Sequence, residues 1–126
     1  MELTKRLLVL AVGGALGTLA RYGLNGLVAQ RFPTFPAGTL LVNVTGCFAI
    51  GLLANLALRS EWRDFLMLGF CGGYTTFSSF SLQTLHLARD REWLYVAGNV
   101  LGTNVLCLLA VYLGWVCGRF IHGGPP

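Results

Sequence analysis

The chain has 126 residues, a formal net charge of +4, 55% hydrophobic residues and only 11% charged ones. Ordinary soluble domains give roughly a quarter of their positions to Asp, Glu, Lys and Arg, and a chain this short has too little interior to hide so much apolar surface. A soluble globular fold is excluded, and a membrane protein is the class that remains.

In chain order, the charged residues fall at the ends of apolar runs and delimit four spans near 7–28, 37–58, 65–87 and 93–120. Each reaches the roughly 20 residues needed to cross a ~30 Å hydrocarbon core as a helix. The first span opens after Lys5 and Arg6, a start shared with secretory signals, but apolar sequence continues past any plausible cleavage point and three more spans follow. It carries Arg21, the one charge well inside a span.

A Pro-rich linker over 31–36 leads to the second span, which holds Thr39, Asn43, Thr45 and Asn55. The third contains the run from Gly69 to Ser81, rich in glycine and hydroxyl groups, in the middle of an apolar stretch. Opened backbone at membrane depth is tolerated only inside protein or beside a wet cavity, so Gly72 and Gly73 predict a break at the centre of this helix. The fourth span holds Asn99, Thr103, Asn104 and Cys107. Trp62, Trp93, Tyr95 and Trp115 lie at or near span ends, where amphipathic rings anchor to the interface. All linkers are short, so successive spans run antiparallel within one membrane domain covering 1–126 and contacting lipid.

With both termini on one side, the basic residues there are Lys5, Arg6, Arg59, Arg63 and Arg119, against Arg31, Arg89 and Arg91 on the other. Orientation follows the excess of positive charge in short loops. So small a bias predicts insertion both ways up, and hence an antiparallel dimer. Gly13/Gly17, Gly69/Gly73, Gly98/Gly102 and Gly114/Gly118 have the small-xxx-small spacing that lets helix backbones approach, and are read as packing.

Cys47, Cys71, Cys107 and Cys117 all lie within spans, without a Cys-x-x-Cys motif or clustered His. They read as small apolar packing residues rather than zinc ligands or a disulfide framework. His86 and His122 fall at a span end and in the tail. No carboxylate lies inside a span, which argues against proton-coupled carriers and against a small multidrug exporter, both of which need an acid at depth. Enzyme chemistry lacks a nucleophile–base or metal constellation. Neutral donors beside one arginine suit a small anion.

Asn99, Thr103 and Cys107 recur along one face of the fourth span, and Thr39 and Asn43 along one face of the second. Such rails serve either as donors to an anion or as helix–helix hydrogen bonds, each worth about 0.6 to 2 kcal/mol. Phe77 and Phe80 share a helical face, with Ser78 and Ser81 on neighbouring stripes. The electropositive ring edges can face an anion, although such a pair also serves as plain packing. A helix ending near Gly73 leaves its last carbonyls without amide partners. A cation can satisfy them, as at other unwound membrane helices.

Three motifs carry a resemblance. They are Gly13-Gly14-x-x-Gly17-x-x-x-Arg21-Tyr22, Gly38-Thr39-Leu40-x-Val42-Asn43-x-x-Gly46 and Gly69-Phe70-Cys71-Gly72-Gly73-x-Thr75-Thr76-Phe77-Ser78-x-Phe80-Ser81. In this order they resemble the Fluc fluoride channels, also called CrcB proteins, over essentially the whole chain.

The resemblance implies an all-α, antiparallel, dual-topology homodimer in the cell (inner) membrane, with four helices per chain and the third broken at its centre. It implies passive, fluoride-selective export that relieves fluoride toxicity through two pores lined by both chains, with a structural sodium ion between them. By position, Gly72 and Thr75 would offer backbone carbonyls to sodium, Phe77 and Phe80 would line the pore, and Asn43 would donate to fluoride. Ser78, Ser81 and Thr103 would extend the polar track, with Thr39, Gln83 and Asn99 along the pathway and Arg21 in a vestibule. Many members carry Glu where this chain has Gln83, and hydroxyl residues where it has Asn99 and Cys107, so a carboxylate role near Thr39 is not carried over. A non-conducting assembly subunit is the remaining alternative.

Overall fold

The computed structural model describes residues 2–123, and every regular element among them is helical. Helix α1 spans Leu3–Ala29, α2 Ala37–Ala54, α3 Ser60–Arg63, α4 Gly72–Tyr74, α5 Phe77–Arg89 and α6 Trp93–His122. Between α3 and α4 the backbone continues through Asp64–Cys71 as a π-type helix, whose wider turns are uncommon and occur often near functional sites.

Three of these helices, α1, α2 and α6, are long and apolar enough to cross a membrane. The protein is accordingly a multi-pass membrane protein. The breaks between them have local causes. Helix α1 ends ahead of Pro33, and Pro36 stands at the N-cap of α2, where its fixed backbone and missing amide are tolerated. After α6, Gly123 takes a left-handed conformation at φ 73° and its amide returns to the carbonyls of Arg119 and Phe120, a C-terminal stop that glycine adopts freely.

Packing runs in two parallel pairs. Along α1, Arg6 meets Asp64, and further on Thr18 Oγ1 donates to the Gly73 carbonyl at 3.4 Å, so α1 and the 60–74 stretch point the same way. A Cβ placed on Gly17 would collide with the Phe70 carbonyl, and one on Gly73 with that of Gly14. Helices α2 and α6 are also parallel: Gly51 sits against Val111, Gly114 against Phe48 and Gly118 against Leu52, each too close for a side chain. Asn55 Nδ2 donates to the Trp115 carbonyl at 3.0 Å and joins the ends of that pair.

The Gly13/Gly17, Gly69/Gly73 and Gly114/Gly118 pairs therefore pack backbones together. The Gly98/Gly102 pair is a correction, for Gly98 meets only the edge of the Phe35 ring at 3.9 Å and Gly102 has nothing within 4 Å.

The interior is the reverse of a soluble core. Buried side chains include Thr39, Asn43, Asp64, Thr76, Asn99 and Thr103, whereas Leu and Phe residues crowd the periphery. Lipid is as apolar as leucine, so burying leucine gains little, and close backbone contact with internal hydrogen bonds supplies the cohesion instead.

Boundaries differ modestly from expectation. The second span stops at Ala54 rather than near 58, while the first and last extend to Leu3 and His122. Gly72 and Gly73 were expected to break the third span, yet both have ordinary helical neighbours, and Gly73 serves contact with Gly14. The helical path is interrupted two residues later: Thr75 lies at φ −80°, ψ 155° and Thr76 at φ −153°, ψ 115°, both extended.

Candidate ion pathway

Thr75 N still donates to the Cys71 carbonyl at 3.0 Å, but the amide of Thr76 gives up its helical partner and a side chain of α2 replaces it. Thr76 N donates to Asn43 Oδ1 at 2.8 Å, and Asn43 Nδ2 donates to the Thr76 carbonyl at 3.0 Å. Both groups are buried, where an unpaired peptide group would be costly. One N–H of the Asn43 amide remains beyond this pair.

Helix α5 then restarts with Thr76 as its N-cap, whose Oγ1 accepts from Ser79 N at 3.2 Å and donates to Ser79 Oγ at 3.1 Å. Thr76 was not singled out from the sequence. Its spacing three residues before Ser79 was the readable signal, since N-cap threonines accept from the N3 amide.

Asn43 opens onto a cavity of about 380 Å³ that also exposes Thr75, Thr76, Phe77, Phe80 and Thr103 on its walls. Four of the expected pathway residues, Asn43, Phe77, Phe80 and Thr103, are thus brought together from α2, α5 and α6. The Phe77 and Phe80 ring centroids stand 5.3 Å apart with planes at 46°. Phe80 is 7% exposed, whereas Phe77 is 75% exposed at the cavity margin. Among the described residues no carboxylate lines this space.

Other expected residues lie beside it. From Thr103 a hydrogen-bonded series leads away: Thr103 Oγ1 donates to Asn99 Oδ1 at 3.4 Å, Asn99 Nδ2 to Thr84 Oγ1 at 2.9 Å, and Thr84 Oγ1 to the Phe80 carbonyl at 2.7 Å. Asn99 is 1% exposed and does not reach the cavity wall. Thr39 Oγ1 and Gln83 Oε1 are buried without a hydrogen-bond partner, an unusual condition for polar atoms in a folded chain.

Ser78 and Ser81 are not on the cavity wall. Ser78 Oγ pairs with Thr76 Oγ1 at 3.3 Å, and Ser81 Oγ donates back to the Phe77 carbonyl at 2.9 Å. Arg21 lines a separate hollow of about 190 Å³ with Thr18, Tyr22 and Asn25. Cys47, Cys71 and Cys107, read from the sequence as packing, all line the cavity that holds Asn43 and Phe77. Cys107 had a readable signal, since it continues the Asn99–Thr103 face of the fourth span, whereas nothing in the spacing of Cys47 and Cys71 distinguished cavity from core.

The arrangement gathers neutral polar groups, two aromatic rings and three thiols around one cavity. The family model described as "CrcB-like protein, Camphor Resistance (CrcB)" matches residues 8–115. A protein of Opitutus terrae is 53% identical over 117 residues, covering 86% of this chain and 89% of its own. One of Paramagnetospirillum magneticum is 50% identical over 122 residues, covering 90% and 95%. A third, of Rhodospirillum rubrum, is 47% identical over 125 residues, covering 93% and 97%. All three bear the name "Fluoride-specific ion channel FluC", which describes ion channels and not enzymes. With a match over most of its length and relatives this similar end to end, the chain belongs to the CrcB family.

Proposed function

We propose that this protein is a passive, fluoride-selective channel of the cell membrane that lets fluoride leave the cytoplasm and so relieves its toxicity. The observation that carries the reading is the meeting of Phe77, Phe80, Asn43 and Thr103 on one carboxylate-free cavity. Fluoride is small and strongly hydrated, so its water must be exchanged for closely spaced donors, while a narrow apolar wall disfavours chloride. The orphaned hydroxyl of Thr39, one turn from Asn43, adds a donor in reach of the same face. Gln83, Asn99, Ser78 and Ser81 extend the polar track away from the cavity, and Arg21 draws anions toward its hollow. Fluoride enters as the neutral weak acid, ionises inside, and leaves as an anion aided by a negative-inside potential.

In this reading the working unit is an antiparallel, dual-topology homodimer with two pores. Phe77 is largely exposed at an open cavity wall, so one chain leaves the passage incomplete, and a second copy completes it. The pieces from Ser60 to Arg89 together form the third crossing, interrupted at Thr75 and Thr76. The parallel packing of α2 with α6 supports this, because the chain between two parallel spans has to return across the membrane once.

A structural sodium ion suits the interruption. Among the described residues no cluster of three or more His, Cys, Asp or Glu is present, so carbonyl oxygens are the donors to consider. In a continued helix Thr76 N would bond the Gly72 carbonyl and Ser79 N the Thr75 carbonyl. Those amides go instead to Asn43 Oδ1 and Thr76 Oγ1, which leaves Gly72 and Thr75 with oxygen free for a hard cation. When bound, the ion supplies fixed positive charge that holds the two chains' breaks together.

Halide efflux from proteoliposomes tests the proposal, with fluoride and chloride followed by ion-selective electrodes. Fluoride efflux that greatly exceeds chloride efflux and disappears in Phe77→Ile is expected. Preference for chloride overturns the substrate, and absence of any flux leaves a non-conducting assembly subunit.

A further inference from the structure

None of the three thiols in the cavity wall has a part in the fluoride reading, and two of them sit on the paired helices α2 and α6. Cys47 on α2 and Cys107 on α6 both line the cavity. Their placement follows from the helix contact. One turn beyond Cys47 is Gly51, and one turn beyond Cys107 is Val111, and those two residues meet backbone to backbone. The parallel helices thereby hold the two sulfurs on facing stripes, in a region where glycine contacts leave little freedom to separate. Neither thiol is tied up in a disulfide.

We propose that Cys47 and Cys107 form a two-coordinate site for a soft, thiophilic cation such as Hg²⁺, and that its occupancy closes the passage. Thiolate sulfur favours soft metals over the hard cations of biological fluids, and two thiols on facing stripes offer one ion both bonds of a dithiolate. Each thiol gives up its proton as a sulfur–mercury bond forms, so one Hg²⁺ displaces two protons and no oxidant is required. The product lies on the same wall as Phe77, Phe80 and Thr103. The mercury bis-thiolate is electrically neutral, so it acts there by bulk, filling a space sized for a small anion. The closure rests on the channel reading, whereas the metal site does not.

The test uses the full-length protein with Cys71→Ser and Cys117→Ser, which leaves only the facing pair. Mercuric nitrate is titrated against free thiols and against the near-ultraviolet mercury–thiolate absorption. The expected result is loss of both thiols at one mercury per chain, with a single saturating absorption change. Consumption of two mercury ions per chain, or reaction of only one thiol, overturns the paired site.

A second arm compares fluoride efflux with and without mercuric nitrate in the unmodified protein and in the Cys47→Ser, Cys107→Ser double variant. Each is referred to its own mercury-free rate. Loss of efflux in the former with retention in the latter supports closure, and equal inhibition of both overturns it. If neither protein transports fluoride, the channel reading fails while the thiol titration still decides the metal site.

Discussion

Asn43 and Thr76 exchange two hydrogen bonds, at 3.0 and 2.8 Å, between the side-chain amide of α2 and the peptide groups of an extended residue. The pair does for the interrupted backbone what a helical neighbour does elsewhere. It also fixes the amide's orientation, so its remaining N–H is directed by the fold. Leucine at position 43 has nearly the same volume and strands both Thr76 groups. Asn43→Leu is expected to lower stability by about 2 kcal/mol or more, since each orphaned group costs about 1–3 kcal/mol. Thermal unfolding in detergent measures this, and an unchanged melting temperature counts against the pairing as a structural necessity.

The cap at Thr76 makes a smaller, separable contribution. Thr76→Val removes the oxygen that accepts from Ser79 N while keeping the shape, and is expected to cost about 1 kcal/mol. Thr76→Ser retains the acceptor and is expected to melt close to the parent.

Phe77 and Phe80 touch but differ in burial, 75% against 7% exposed. Their substitution by isoleucine therefore separates folding from transport. Phe77→Ile is expected to fold as well as the parent and lose fluoride efflux. Phe80→Ile is expected to lose efflux and also about 1–2 kcal/mol of stability from imperfect packing. Full efflux in Phe77→Ile would falsify the aromatic lining.

Glycines separate by what faces them. Gly114→Ala drives a methyl group into the Phe48 carbonyl and must push α2 and α6 apart, with an expected loss of about 1–3 kcal/mol. Gly26 lies inside α1 with nothing within 4 Å. Gly26→Ala is expected to be neutral or to gain up to about 1 kcal/mol from helix propensity. Paired melting curves check the contrast.

Arg6 and Asp64 tie the start of α1 to the π-type segment, with Nε to Oδ2 at 2.7 Å and Nη2 to Oδ1 at 3.3 Å. The Asp64 side chain is 8% exposed and that of Arg6 52%. Arg6→Ala leaves a mostly buried carboxylate without its partner, but water reaches the arginine side, so a loss of about 1 kcal/mol is expected. Adding Asp64→Arg to Arg6→Asp restores the pair with reversed sign, and partial recovery of the melting temperature is the expected outcome.

The apolar spans α1, α2 and α6, their short linkers and the packing role of Gly13/Gly17 and Gly114/Gly118 were legible because each is a local property of the chain. The gathering of Asn43, Phe77, Phe80 and Thr103 on one cavity was implied only by the resemblance, because helical spacing places residues on faces of one helix and does not say which helices meet. The location of the interruption was not legible. Glycine is compatible with both a break and a close approach, and only the position of Gly14 beside Gly73 decides between them. Ser78 and Ser81 stood next to the aromatic pair in sequence, yet their hydroxyls turn to Thr76 and to the Phe77 carbonyl. Local acceptors compete for a hydroxyl more readily than spacing reveals.

By itself the sequence determined that this chain belongs in a bilayer, since hydropathy and charge act residue by residue. Tertiary structure alone decided that Thr75 and Thr76 open the backbone, that Asn43 closes the gap this leaves, and that Cys47 faces Cys107. Each of those outcomes depends on a group more than thirty residues away satisfying what the local chain cannot, and no periodicity encodes that partner.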